Sequence, residues 1–313
     1  MSRIHEALRK AGLENAALES VATVTSTQGI AEKNEPELVP ARIPTVTPAA
    51  KTVGLSIDAN LRSDDLLSSC SRPVWVPGPN VNAFDPDCDP LCAEQFRILR
   101  SRLNRLRVDQ GLRIILITSA VSNEGKTFVA SNLAQAMVRQ AEQRVLLIDA
   151  DLRRSNLHTP LGAPSKPGLG SYLQGVADER SVIQHGDESN LYFIPGGDCV
   201  TNPSELLSNG LLKNFLNRMT TIFNWIIIDS PPCLPVADAG ILAEFCDGLL
   251  FVVRANATPA KIVRNGCQKL DKRNILGVVL NASEEENVHY GSYYGYTQQR
   301  AEDGGAGTST KSE

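Results

Sequence analysis

Apolar residues in this chain fall into short continuous runs of strand length. Between the runs they recur every three or four positions. The runs at 113–118, 144–149, 191–195, 223–229, 247–254 and 274–280 read as strands, and the spaced stretches at 126–140, 168–175, 203–219, 235–246 and 258–272 as helices. Order begins near Pro90, where residues 93–107 carry Phe96, Leu99, Leu103 and Leu106 at helical spacing. Arg97, Arg100, Arg102, Arg105 and Arg107 make the other side basic. Strands apolar on both faces, alternating with amphipathic helices, predict an α/β fold: a mostly parallel sheet with helices on both faces. In such sheets ligands sit at the carboxyl ends of the strands.

Outside this core the pattern weakens. Residues 1–18 show one amphipathic turn pattern (Ile4, Ala7, Leu8, Ala11, Leu13), which suits either a short docking helix or a frayed end. Residues 19–87, rich in Thr, Pro, Ala, Ser and Val, predict a disordered linker. The ordered domain is expected over 88–282 and a flexible tail over 283–313. A hydrophobic content of 42% supports a sizeable core, and a net charge of −4 argues against nucleic acid as the partner. The seven cysteines are odd in number and scattered without a CxxC pair, which predicts reduced thiols in a cytosol and no zinc. The amino terminus lacks the apolar stretch of a signal peptide. No apolar run approaches the ~20 residues that cross a bilayer, so a soluble protein is expected.

Three strand ends carry chemistry. The run Ile114–Ile117 leads through a polar turn into Gly125-Lys126-Thr127 and then a helical pattern, the layout of a phosphate-binding loop. Ala120 stands where that pattern prefers its first Gly. The backbone of Ser122, Asn123, Glu124, Gly125, Lys126, Thr127 and Phe128 is expected to face phosphates, with Lys126 on the β/γ oxygens and the Thr127 hydroxyl on Mg²⁺. A second run ends in Asp149 and Asp151, followed by Arg153 and Arg154, and a third ends in Asp229. Such carboxylates can hold Mg²⁺ or activate a hydroxyl, although one Asp at a strand end can equally be a turn former or helix cap. Together with Gly-Lys-Thr they point to a P-loop NTPase-type site for ATP and Mg²⁺. Four of the six tyrosines, Tyr290, Tyr293, Tyr294 and Tyr296, lie within eight positions of a Gly/Ser-rich tail, as phosphate acceptors or as a sticky binding segment.

These motifs, in this order, resemble the cytoplasmic bacterial tyrosine kinases (BY-kinases) of capsule and exopolysaccharide synthesis. The resemblance covers about residues 88–296: the 94–100 helix, SAVSNEGKT at 119–127, LLIDADLRR at 146–154, NPSELL at 202–207, IIIDSPP at 226–232 and the tyrosine tail. It implies Lys126, Asp149 and Asp151 in catalysis, Asp149 being the base, with Thr127, Asp151 and Asp229 around the metal. It also implies autophosphorylation at the four tail tyrosines of a neighbouring subunit and a homo-oligomeric ring formed through Glu94, Arg97 and Arg100. The activator would be a separate membrane polysaccharide co-polymerase, placing the kinase in the cytoplasm at the inner face of the plasma membrane. Ser122 and Asn123 depart from the Pro-Gly common before Glu-Gly-Lys in that family. A partitioning or division-type ATPase of the same fold would carry a signature Lys where this chain has Val121. A nucleotide-gated scaffold is the other alternative.

Overall fold

The computed structural model describes residues 63–78, 82–186, 190–270 and 273–283. Among the described residues seven strands form one sheet: β1 (Ile114–Ser119), β2 (Val145–Asp149), β3 (Gln184–His185), β4 (Leu191–Ile194), β5 (Trp225–Asp229), β6 (Gly248–Arg254) and β7 (Ile275–Asn281). Their order across the sheet is β3-β4-β2-β5-β1-β6-β7, parallel throughout except for β3 against β4. Because side chains alternate along a strand, each apolar run supplies both faces. Ile114, Leu116, Leu146, Ile148, Ile226 and Ile228 enter one core, whereas Ile115, Ile117, Val145, Leu147, Trp225 and Ile227 enter the other. The expected α/β architecture is the observed one.

Helices cover both faces. On one side lie α2 (Pro90–Gln110), α3 (Lys126–Val138) and the short α4 (His158–Leu161). On the other pack α1 (Ser63–Ser69), α5 (Leu169–Leu173), α6 (Glu179–Val182), α7 (Pro203–Ser208), α8 (Leu211–Met219), α9 (Asp238–Ala243) and α10 (Ala260–Lys269). The single helix expected at 203–219 is two. Gly210, at φ 81°, takes a left-handed conformation that interrupts the helix after Asn209. Helix α2 outruns its expected ends for local reasons. The Asp89 carboxylate accepts from the Leu91 N–H at 2.9 Å, Pro90 opens the helix, and Gly111 at φ 71° closes it.

The linker reading of 19–87 is corrected at its carboxyl end. Leu66, Leu67 and Cys70 are buried in the core. The following segment then runs along the β3 edge, where the His185 N–H donates to the Ser71 carbonyl at 2.9 Å. Trp75 packs edge-on against Phe193, ring centres 6.2 Å apart, and the Val76 N–H bonds the Gly162 carbonyl at 3.0 Å. An average over a Pro/Thr/Ser-rich window hid these few apolar anchors. The expected helix at 3–17 and the tail tyrosines lie outside the described residues.

Helix α2 is fixed to α3 by a ladder of polar contacts. Arg100 donates to the Ala136 carbonyl at 2.7 Å and Asn104 to Gln140 at 2.8 Å. Arg97 instead pairs with Glu94 at 3.0 Å, with 47% of its side chain exposed. Arg100→Ala should therefore lower the unfolding free energy of dilute protein by about 1–3 kcal/mol. Arg97→Ala should cost no more than about 1 kcal/mol, and urea unfolding at low protein concentration separates the two.

Candidate active site

The phosphate loop bridges β1 and α3 at the carboxyl edge of the sheet. Asn123 at φ 65° and Gly125 at φ 90° curl the backbone tightly before the helix begins at Lys126. Alternating handedness of this kind turns successive N–H groups toward one concavity, and the positive end of the α3 dipole adds to it. Lys126 is 8% exposed and makes no ion pair among the described residues. The loop residues named from sequence divide by role. Ser122 and Asn123 are exposed, the Glu124 side chain is buried, and Phe128 packs edge-on against Phe96 at 5.9 Å. Phe128 thus has only its backbone to offer a ligand.

Strands β2 and β5 are neighbours, and their register places Asp149 directly opposite Asp229. Both carboxylates are almost fully buried. The Thr127 hydroxyl donates to Asp229 Oδ2 at 2.7 Å, tying the first helical turn to the strand end. Burial, reinforced by the charge of Asp149, pushes Asp229 up to about 8, against the pull of the Thr127 hydrogen bond and the Lys126 charge. Its other oxygen, Oδ1, is buried without a hydrogen-bond partner. A hydroxyl, a carboxylate with an orphaned oxygen and a nearby second carboxylate fit a Mg²⁺ ion. Among the described residues no cluster of three or more His, Cys, Asp or Glu could hold a metal alone. That suits Mg²⁺, which usually completes its shell with phosphate and water.

Asp149 has a second task. Its Oδ2 accepts from the Ser155 hydroxyl at 2.8 Å and from the Asn156 and Leu157 N–H groups at 3.0 Å, while Oδ1 accepts from the Asp151 N–H at 3.1 Å. Burial raises it to about 6, and these donors limit the rise. It therefore folds the loop after β2 and keeps one acceptor position on Oδ1. Asp151 is half-buried and caps the Arg154 N–H at 2.9 Å. Sequence reasoning missed Asp238, the fully buried carboxylate that receives Arg153 through both oxygens at 2.7 and 3.1 Å. Ser204, from the NPSELL segment, joins the same group, so that motif braces the aspartate loop. An Asp opening a helix in LPVADAG was the available signal, and it reads equally well as an ordinary cap.

The structure thus brings Lys126, Thr127, Asp149, Asp151 and Asp229 to one edge of the sheet. Glu94, Arg97 and Arg100 sit apart on α2.

Comparison with known proteins places this geometry in a family. Residues 115–302 match the family model described as the CobQ/CobB/MinD/ParA nucleotide binding domain. The tyrosine-protein kinase YwqD of Bacillus subtilis (strain 168) is 34% identical over 208 residues, 66% of this chain and 87% of YwqD. The chain belongs to the bacterial tyrosine-protein kinases. The tyrosine-protein kinase etk of Escherichia coli (strain K12) is 36% identical over 223 residues, 71% of this chain but 30% of that protein's length. The solved kinase domain of Escherichia coli tyrosine kinase ETK superposes with a TM-score of 0.62 at 33% identity, covering 70% of this chain and 87% of that one. Members of this family are enzymes, and their nucleotide-binding domain is the one whose loop and strand-end aspartates are described above.

The paired carboxylates make stability depend on pH. A carboxylate whose folded pKa lies above its ordinary value near 3.8 holds its proton in the folded state while the unfolded chain releases it. Stability contributed below pH 4 is therefore lost as pH rises through about 6 for Asp149 and about 8 for Asp229. Asp229→Asn should flatten this decline and raise the melting temperature of the nucleotide-free protein at pH 8–9. The same variant should lose the additional stabilisation by Mg-ADP, and both effects are read by thermal melting across a pH series.

Proposed function

We propose that this chain binds Mg-ATP at its phosphate loop and transfers the γ-phosphoryl group to tail tyrosines of a neighbouring copy, regulating exopolysaccharide or capsule synthesis and export. The observation that carries the reading is the convergence of Lys126, Thr127, Asp149 and Asp229 at the carboxyl ends of β1, β2 and β5. Phosphoryl transfer needs positioning and charge stabilisation more than covalent chemistry, and this edge offers both. The helix end and Lys126 hold the β- and γ-phosphates. Thr127, Asp229 and Asp151 would hold Mg²⁺, which when bound supplies positive charge against the phosphate oxygens.

The remaining acceptor position on Asp149 Oδ1 suits the hydroxyl proton of the acceptor. A tyrosine oxygen bonds to the γ-phosphorus, the bond to the β–γ bridging oxygen breaks, ADP leaves, and the proton passes to Asp149. Burial raises the basicity of this carboxylate above that of an exposed Asp, which favours it over half-buried Asp151 as the base. The acceptors in this reading are Tyr290, Tyr293, Tyr294 and Tyr296. Strand β7 runs parallel to β6 and ends at the nucleotide edge of the sheet, so the chain heads toward the tail from that edge. Of the two tyrosines among the described residues, Tyr172 is held between Glu179 and Arg218, and Tyr192 is buried.

Assembly as a ring draws on exposed Arg97 and its partner Glu94. Arg100 is already engaged within its own protomer, which makes it the weaker contributor. No helix among the described residues is long and apolar enough to cross a membrane. The proposed place is the cytoplasmic face, reached through a separate membrane polysaccharide co-polymerase as activator. Val121, 37% exposed, stands where a partitioning or division-type ATPase would present lysine, which weighs against that alternative.

Purified protein incubated with Mg-ATP and the cytoplasmic segment of the activator should gain phosphate on the tail, mapped by mass spectrometry. Lys126→Met should abolish the signal, because the transferring phosphate loses its point charge. Asp149→Asn should reduce turnover at least about 100-fold, the usual range for removing a general base, while Mg-ADP binding persists. Replacing all four tail tyrosines by Phe should remove tail phosphate and leave nucleotide binding intact. ATP consumption without phosphate on any of the four would overturn the kinase reading and leave a plain ATPase or a nucleotide-gated scaffold.

A further inference from the structure

The phosphate loop is held from one side by three side chains of the β6–β7 half of the sheet. Arg254, the last residue of β6, reaches the Asn123 carbonyl at 3.4 Å. Asn281, the last residue of β7, donates its amide to the Glu124 carbonyl at 2.9 Å. Its amide lies so close over the loop that a Cβ built on Gly125 would fall 1.9 Å from Nδ2. Between them stands Thr258, in the loop that enters α10.

Thr258 is the one of the three that reaches the Glu124 carboxylate. Its hydroxyl donates to Glu124 Oε1 at 2.7 Å, while Glu124 Oε2 accepts the Val121 N–H at 3.0 Å. Glu124 is 1% exposed. Its carboxylate therefore bridges the first turn of the loop to a residue more than a hundred positions away, and lies inside the loop instead of facing a ligand. The loop needs such a brace. Asn123 holds a positive φ, a conformation that asparagine tolerates better than most residues but that surrounding contacts must still select. A carboxylate buried with one hydroxyl and one N–H donor is satisfied at both oxygens. Removing the hydroxyl frees one oxygen in a site that must also receive phosphate charge.

We propose that Thr258 is a positioning residue for nucleotide binding, acting through the buried Glu124 carboxylate to set the curvature of the phosphate loop. The inference rests on the reading that residues 119–127 bind a nucleotide. The loop and the α10 entry are joined through this bond, so the β6–α10 connection shares in defining the concavity that the phosphates enter. The Thr258 hydroxyl acts through Glu124. Its loss frees one oxygen of the buried Glu124 carboxylate, which lowers folding stability as well as weakening capture of the nucleotide, while the backbone bond from the Thr258 N–H to the carbonyl of Arg254 at the end of β6 is kept.

The test compares the full-length protein with Thr258→Val, which keeps the side-chain shape and removes the donor, and Thr258→Ser, which keeps the donor. Mg-ADP affinity is measured by titration calorimetry, the melting temperature without nucleotide by differential scanning calorimetry, and KM for ATP and kcat by tail phosphorylation. The expected result is roughly tenfold weaker Mg-ADP binding and a matching rise in KM for Thr258→Val. Its kcat at saturating ATP should stay unchanged, its nucleotide-free melting temperature should fall because a buried carboxylate oxygen loses its donor, and Thr258→Ser should restore both the affinity and the melting temperature. Equal Mg-ADP affinity in wild type and Thr258→Val overturns the proposal while leaving the nucleotide reading in place. Weakened Mg-ADP binding that Thr258→Ser does not restore, or a kcat that falls along with the affinity, shows general damage to the site and also overturns it. If the unsubstituted protein binds no Mg-ADP, the nucleotide reading itself fails, and this inference with it.

Discussion

Two carboxylates face each other across the ends of adjacent parallel strands, and much of the rest of the site follows from that constraint. Asp149 and Asp229 occupy paired positions at the carboxyl ends of β2 and β5, surrounded by apolar strand residues. Burying two like charges together is unfavourable unless a cation or proton offsets it. The protein offsets it in part with local donors: four to Asp149, and the Thr127 hydroxyl and Lys126 charge to Asp229. What remains unsatisfied, above all Asp229 Oδ1, is where a divalent cation is best received. In the proposed reading, relief of that unfavourable burial is what would favour a divalent cation at this pair.

Around that pair the structure spends its longer polar side chains on bracing loops. Arg153 reaches across to buried Asp238, and Ser204 joins them, so the aspartate loop, α7 and α9 form one unit. Burial alone would raise Asp238, but the hydrogen bonds from Arg153 and Ser204 outweigh it and lower its pKa, keeping the carboxylate charged. The phosphate loop is braced in the same manner from the β6–β7 side. Dipoles fixed before a ligand arrives cost no reorganisation when it binds, and hydrogen bonds from distant parts of the chain fix these loops.

The basic helix α2 shows how one sequence motif can serve within a protomer. Arg97 and Arg139 both lie over the Phe84 ring, and Arg107 lies over Trp225. With Arg100 on a helix carbonyl, much of what reads as a solvated charge stripe is instead adhesive between α2, α3 and the sheet. Periodicity marks such arginines as polar, and their long apolar stems and planar guanidinium groups let them pack as well as pair.

The alternation of apolar runs and spaced apolar positions sufficed for the α/β class, for strands buried on both faces, and for a phosphate loop with Lys126, Thr127 and aspartates at strand ends. These features are local, because a strand end, a Gly-Lys-Thr turn and the helix after it lie within a few residues of one another. Their partners are not local. Only the tertiary structure paired Asp149 with Asp229, turned Glu124 inward toward Thr258, gave Arg153 its Asp238 and folded residues 63–78 onto the β3 edge. It also broke the 203–219 helix, where an Asn-Gly step was legible but the apolar period ran on through it. Periodicity reports which face of an element is buried. Which groups meet is decided by strand order, a non-local property that brings positions eighty or more residues apart to one edge of the sheet.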